Sequence, residues 1–167
     1  ASGNETTHAL AAGVLAIGPY HGGAIEGAME LFKSFAGKSE TEVAAVIHAM
    51  REAKQRAPGF GHKVYTTIDP RAEKLIVVAG EHKLSTTFIA TARMFEQALE
   101  KELGKKLVLN VDGAVAALLL ELGLPSQAGN GLFALARMSG MLAHVLEEKQ
   151  QGTVVRRLDD SEVSYTG

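Results

Sequence analysis

Two histidines and one aspartate stand among neighbours that would shape their chemistry. His21 lies in Gly18-Pro19-Tyr20-His21-Gly22-Gly23-Ala24, just ahead of an apolar helical run. That places its ring at the positive end of a helix dipole, where a neutral, hydrogen-bond-donating imidazole is favoured over a cation. His62 ends Pro58-Gly59-Phe60-Gly61-His62, whose glycines leave it accessible, and Asp69-Pro70-Arg71 follows. An imidazole beside a guanidinium suits a substrate with both a carbonyl and a carboxylate: the first is polarised, the second matches the arginine fork. Asp112, in Leu107-Val108-Leu109-Asn110-Val111-Asp112-Gly113, has apolar residues on its N-terminal side. Partial desolvation raises a carboxylate's pKa and makes it a better base. Each segment also has a plain structural reading: a turn histidine, a β-turn before a capped helix, and an N-cap. Singly, none decides.

Composition narrows the chemistry. With no cysteine among 167 residues, disulfides, thiolate metal sites and a cysteine nucleophile are excluded. The two histidines and Asp112 lack the i, i+4 spacing of a metal-ligand pair, so no metal is expected. A net charge of −2 gives no field to draw nucleic acid or an anionic membrane. No apolar run approaches the roughly 18–20 residues that span a bilayer. Ala1-Ser2-Gly3-Asn4-Glu5 lacks the basic start and apolar stretch of a signal peptide. A cytoplasmic protein is expected, with small molecules rather than nucleic acid or membrane as partners.

The elements that must position these residues read as helices. Ser39-Glu40-Thr41-Glu42 is a capping box ahead of Val43, Val46, Ile47 and Met50, a run expected to stop at Pro58-Gly59. Asp69-Pro70 opens another helix, with aspartate at the N-cap and proline at the first position. A third passes through Phe88, Ala92, Phe95, Leu99 and Leu103 and ends at Gly104. Two more are expected over roughly 112–122 and 128–150. Only Val154-Val155 and Val163-Ser164-Tyr165 look extended. The fold class is all-α. His48 and His82 are expected on polar helix faces, and His144 packed or interfacial.

In order and spacing, four segments resemble the motifs of the citrate synthase superfamily, which includes citrate and methylcitrate synthases, citryl-CoA lyases and the lyase module of ATP-citrate lyase. They are His-Gly-Gly-Ala at 21–24, Pro-Gly-Phe-Gly-His at 58–62, Asp-Pro-Arg at 69–71 and Asn-Val-Asp at 110–112. Leu132 to Arg137 with Gly140 to His144 resembles the family's late substrate-arginine helix. The resemblance implies acid–base chemistry without metal or a tightly bound cofactor, on a coenzyme A thioester as substrate. His21 would stabilise the enol of the acetyl group, Asp112 would remove the methyl proton, and His62 would polarise and protonate the oxaloacetate carbonyl. Arg71 and Arg137 would bind substrate carboxylates. Arg156 or Arg157 resembles an arginine offered across a dimer interface. Pro58, Gly59, Phe60 and Gly61 would lie against CoA.

The resemblance further implies a two-lobed fold: 1–21 in the large lobe, 22–110 as the small lobe, and 111–167 returning to the large lobe and its tail. Helices near 9–17 and 128–150 should bury apolar faces on each other or a partner. A homodimer or higher homo-oligomer is expected. Members of the family have large-lobe helices ahead of this point, and their upstream substrate histidine has no counterpart here, so either that portion is omitted from this chain or the protein is incomplete. Gly113 and Asp159-Asp160 resemble the lyase branch, through changes expected in the pocket beside the base and in the carboxylate clamp. The activity expected is therefore citryl-CoA lyase, with citrate or 2-methylcitrate synthase as the alternative. A non-catalytic CoA-binding or assembly module is the further rival.

Overall fold

The computed structural model describes residues 3–18, 21–152 and 159–164. Within them lie seven α-helices: α1 (Thr6–Leu15), α2 (Ala24–Phe35), α3 (Glu40–Glu52), α4 (Pro70–Glu81), α5 (Thr87–Leu103), α6 (Val111–Glu121) and α7 (Ala128–Gln150). A single 3₁₀ turn, Asp160–Glu162, follows. No strand is present among the described residues; Phe60 and Leu109 form an isolated antiparallel bridge. The all-α expectation holds. Val154-Val155, Arg156, Arg157 and Tyr165 lie outside the described residues, and Val163-Ser164 forms no strand.

The chain divides into two compact units, Pro19–Phe133 and Ala1–Gly18 with Ala134–Gly167. In the larger unit, α2, α5 and α6 enclose one apolar cluster containing Ile25, Met29, Phe32, Ala92, Ala116 and Ala117. A second cluster joins α3 to α5 through Phe35, Val43, Ile47, Phe95 and Leu99. Phe60 is packed against both, with its ring 5.9 Å from Phe32 and 5.1 Å from Phe95. Burying such side chains contributes about 1.5–3 kcal/mol each, so the loop that carries His62 is anchored by an aromatic in the core. In the smaller unit, α1 lies so close to α7 that a Cβ on Gly13 would stand 2.9 Å from Met141 Sδ.

Local signals explain most helix boundaries. Ser39 and Glu42 form the reciprocal capping box, Asp69 caps α4 with Pro70 at its first position, and Gly104 ends α5 in the left-handed conformation. Two boundaries differ from expectation. α3 stops at Glu52, well before Pro58, because Lys54 takes a positive φ of 53°. α6 starts one residue earlier, with Asn110 rather than Asp112 as its N-cap. The α5 start has no cap from its own Thr86. Instead Glu121 Oε1, at the end of α6, accepts the amides of Phe88 and Ile89. His144 is exposed within this chain, 3.4 Å from Glu147, and not packed.

Candidate active site

Two short backbone segments bring the chemistry-bearing residues of the larger unit together. The amide of Gly61 donates to the Val108 carbonyl at 2.8 Å, and the amide of Asn110 donates to the Gly59 carbonyl at 3.0 Å. Gly59 and Gly61 both take positive φ, 86° and 82°, which a residue with a Cβ adopts only under strain. Asn110 locks the pair: its Nδ2 donates to Gly61 O at 2.9 Å, while its Oδ1 accepts Gly113 N at 3.1 Å. One side chain thus ties the approach to His62 to the first turn of the helix that carries Asp112. From below, Glu96 accepts the Leu109 amide at 2.7 Å and pairs with Arg93 at 2.9 Å, and Arg93 also reaches Glu73 on α4.

Because Asn110 serves as the N-cap, the Asp112 carboxylate is released from capping. It is half-buried in the first turn of α6. Burial pushes its pKa above the ordinary carboxylate value; the Arg71, His21 and His62 charges oppose that rise, and the Asp69 charge adds to it. His21 and His62 are therefore each within electrostatic reach of Asp112 although distant from it in sequence. His21 is exposed and sits edge-on to Phe133 of the α7 start, ring centres 5.7 Å apart. That helix start is pinned to α2, where Asn130 exchanges hydrogen bonds with the Glu26 amide (3.2 Å) and carboxylate (2.9 Å).

His62 is oriented by its own loop. Its Nδ1 accepts the amides of Val64 and Tyr65, each at 3.1 Å, and Tyr65 stacks on the ring at 4.7 Å. With Nδ1 accepting, the proton of a neutral ring lies on Nε2. Arg71 Nη2, a donor only, stands 3.2 Å from that Nε2, so this one donor must turn aside while two amides hold Nδ1. Two donors then face the same small volume, a place suited to a carbonyl or carboxylate oxygen. Arg71 is itself gripped by Asp69, whose oxygens accept Nε at 3.0 Å and Nη2 at 2.8 Å. This pairing holds the guanidinium pKa above its ordinary value.

Beside His62 opens a cleft of about 460 Å³. Its floor is apolar, from Ile47, Met50, Leu99 and Leu107; Arg51, Arg56, Lys63 and Lys105 supply cations around it. Phe60 and Gly61 line it, whereas Pro58 packs towards Gly27 and Gly59 towards Gly113 and Ala28. Gly113, where a changed pocket beside the base was expected, has no room for a side chain. A Cβ there would stand 2.4 Å from Gly59 O and 2.6 Å from Leu109 Cδ1, so the space is already taken by backbone. Arg137 is exposed on the part of α7 that belongs to the other unit, and Arg156 lies outside the described residues. Sequence reasoning gave no role in the site to Tyr65 or Asn110, and to Asp69 only a cap. The Asn-Val-Asp and Asp-Pro-Arg segments carried the signal for two of them.

The helical fold matches a known family. The model of the citrate synthase C-terminal domain matches residues 1–158, and the chain belongs to the citrate synthase family, whose members are synthases and lyases. Citrate synthase 2 of Bacillus subtilis (strain 168) is 35% identical over 154 residues, covering 90% of this chain and 39% of that protein. The chain thus spans about two fifths of that relative's length. The structure of citryl-CoA lyase from Hydrogenobacter thermophilus superposes with a TM-score of 0.89 at 37% identity, covering 99% of this chain and 65% of that one. Citrate synthase from Thermotoga maritima MSB8 gives 0.69 at 34% identity, covering 90% and 40%.

Proposed function

We propose that this chain is the catalytic part of a protein that makes or breaks the carbon–carbon bond between the acetyl unit of a CoA thioester and oxaloacetate, acting as a citryl-CoA lyase. One observation carries the chemistry: a half-buried carboxylate, Asp112, made more basic by burial, within reach of two histidines and Arg71. In the cleavage direction His62 takes the hydroxyl proton of citryl-CoA and the C–C bond breaks. Oxaloacetate leaves, and the electron pair passes into the enolate of acetyl-CoA. His21 donates a hydrogen bond to that enolate oxygen, and Asp112 returns a proton to its carbon. Condensation runs the same steps backwards. A thioester methyl is a weak acid, so the base succeeds only where the developing oxyanion is stabilised.

Arg71 and Arg137 bind substrate carboxylates, and Arg156 acts across a homodimer interface. Exposed Leu135, Met138, Leu142 and Leu146 form an apolar stripe on α7 that supports association with further polypeptide. The apolar cleft with its cationic surround suits the adenine and phosphates of CoA. The lobes of the assembled cytoplasmic protein would divide at 21/22 and 110/111.

The lean to the lyase rests on the closer fold match, 0.89 against 0.69 for the synthase. Citrate synthase is the second reading, supported by 35% identity to the Bacillus protein. A synthase must also hydrolyse the thioester of citryl-CoA; a lyase need not activate that water. The complete protein should be given citryl-CoA, and separately acetyl-CoA with oxaloacetate. Cleavage of the first, with little citrate and free CoA from the second, is expected. Release of citrate and CoA at a rate rivalling cleavage would overturn the lyase assignment, and CoA binding without turnover of either would leave a binding module.

A further inference from the structure

Asp69 is fully enclosed, with none of its side chain exposed. The sequence asks it only to cap α4, which needs one hydrogen bond. It accepts four: the Arg71 amide at 3.1 Å and Nε at 3.0 Å on Oδ1, and Arg71 Nη2 at 2.8 Å and the Val111 amide at 3.0 Å on Oδ2. The same carboxylate therefore grips one edge of the Arg71 fork and the residue immediately before Asp112. Burying a carboxylate is costly unless it is paired and hydrogen-bonded, and a cap alone would not require that burial.

We propose that Asp69 is a positioning residue of the acid–base site: it holds the Arg71 guanidinium beside His62 Nε2 and away from Asp112, so that the arginine meets the substrate and the base stays unpaired. The proposal rests on the assignment of Asp112 as base and Arg71 as a substrate group. An arginine has five donors in a fixed fork and pairs readily with a carboxylate in two-point fashion. Asp69 occupies Nε and one Nη2 proton, and the second Nη2 proton faces His62 Nε2, which leaves Nη1 for a ligand. Without that grip, Asp112 is a competing anion within reach. The charged groups acting on Asp112 are Arg71, His21, Asp69 and His62. Loss of the Asp69 charge and the approach of Arg71 both act in one direction, towards a weaker base.

Asp69→Asn separates these roles. Asparagine caps a helix as well as aspartate, but its amide nitrogen would face the donors of Arg71 and Val111 that an oxygen now accepts. In the complete protein, Asp69→Asn is expected to lower kcat/KM for citryl-CoA by about 10–100-fold, the scale on which outer partners orient functional groups. The alkaline limb of the cleavage pH–rate profile, set by Asp112 starting as the proton donor, should move to lower pH. Combined with Arg71→Gln, it should cost little beyond Arg71→Gln alone, because both changes remove one interaction. The Asp112 titration, followed by carboxyl carbon NMR, should also shift down in Asp69→Asn; this readout needs no turnover, so an inactive wild type sinks the proposed function without deciding this point. Wild-type kinetics and an unmoved Asp112 titration would overturn the proposal, as would losses that add to those of Arg71→Gln. If the asparagine variant does not fold, Asp69→Ser keeps a capping oxygen and takes the same measurements. Failure of both to fold would assign Asp69 to the fold and overturn the positioning role.

Discussion

Gly59 and Gly113 meet backbone against backbone: a Cβ built on Gly113 would lie 2.4 Å from the Gly59 carbonyl oxygen, and one built on Gly59 would lie 2.8 Å from Gly113 Cα. The loop that leads to His62 and the helix that carries Asp112 are thereby in direct contact, with no side chain between them. The Asn110 bonds to both segments add to this closeness.

Gly113→Ala must therefore push the 58–61 loop off α6, since the nearest obstacle, at 2.4 Å, is the Gly59 carbonyl oxygen. A destabilisation of about 1–3 kcal/mol is expected, the usual cost of one methyl too many in a packed site. CoA affinity should fall with it, because Phe60 and Gly61 line the cleft beside His62. Thermal melting and calorimetric CoA titration read the two effects. An unchanged melting temperature with unchanged affinity would show that the contact carries no constraint.

Asp112→Asn should cut turnover of the complete protein by about 10²–10⁴-fold, the contribution of a positioned base, and leave CoA affinity nearly intact. Its effect on stability has the opposite sign. The folded-state pKa of Asp112 lies above its ordinary 3.8, chiefly through burial, so the folded state binds the proton more tightly than the unfolded one. Stability then falls as pH rises through that window, and the cost of the buried charge is fully present above it. At neutral pH the asparagine variant should melt at or above the wild-type temperature, and the gap should close as pH falls towards 3.8. A variant less stable than wild type at neutral pH would show that the carboxylate helps to hold the fold.

How much of this could be read in the sequence depended on range. The capping box at Ser39, the Asp69-Pro70 start and the Gly104 stop are set by residues within one turn, and the structure has all three. The acid–base groups were legible as residue types in glycine-flanked or apolar surroundings. What holds them was not. Asp69 to Val111 and Asn110 to Gly61 join residues 42 and 49 positions apart, and no local pattern announces such a pair. The Asp112 reading as a helix cap failed for a local reason: Asn110 stands two residues earlier, accepts Gly113 N, and takes the capping role itself.

Glu121 is a cap supplied across the fold. It serves the amides of Phe88 and Ile89, 33 and 32 positions away, where Thr86 provides no side-chain bond. Glu121→Ala should leave those amides at the half-buried start of α5 without that partner and cost about 0.5–2 kcal/mol, the range for a lost N-cap. Denaturant melts of the chain measure it. Hydrogen exchange at Phe88 and Ile89 should accelerate more than at Leu99, near the other end of α5. Equal acceleration along the helix would mean that Glu121 acts through general packing and not as a cap.

The last expectation concerns which nitrogen of His62 carries the proton. Two backbone amides, from Val64 and Tyr65, point at Nδ1 from 3.1 Å. An Nδ1–H ring would set its donor against two amides there, and an Nε2–H ring against Arg71 Nη2 alone, so the neutral ring is expected in the Nε2–H form. That form aims a donor into the volume that Arg71 Nη2 also faces. It is the form that donates to a substrate carbonyl; taking the hydroxyl proton of citryl-CoA needs the other neutral form, with Nε2 free. Long-range proton–nitrogen correlation spectra of ¹⁵N-histidine-labelled protein distinguish the two forms by their nitrogen shifts. An Nε2–H pattern is expected with and without bound oxaloacetate. Replacing Tyr65 with proline, which has no amide hydrogen to donate, should raise the Nδ1–H fraction and lower turnover together. An Nδ1–H ring in the wild type would remove the donor on which the proposed carbonyl polarisation depends.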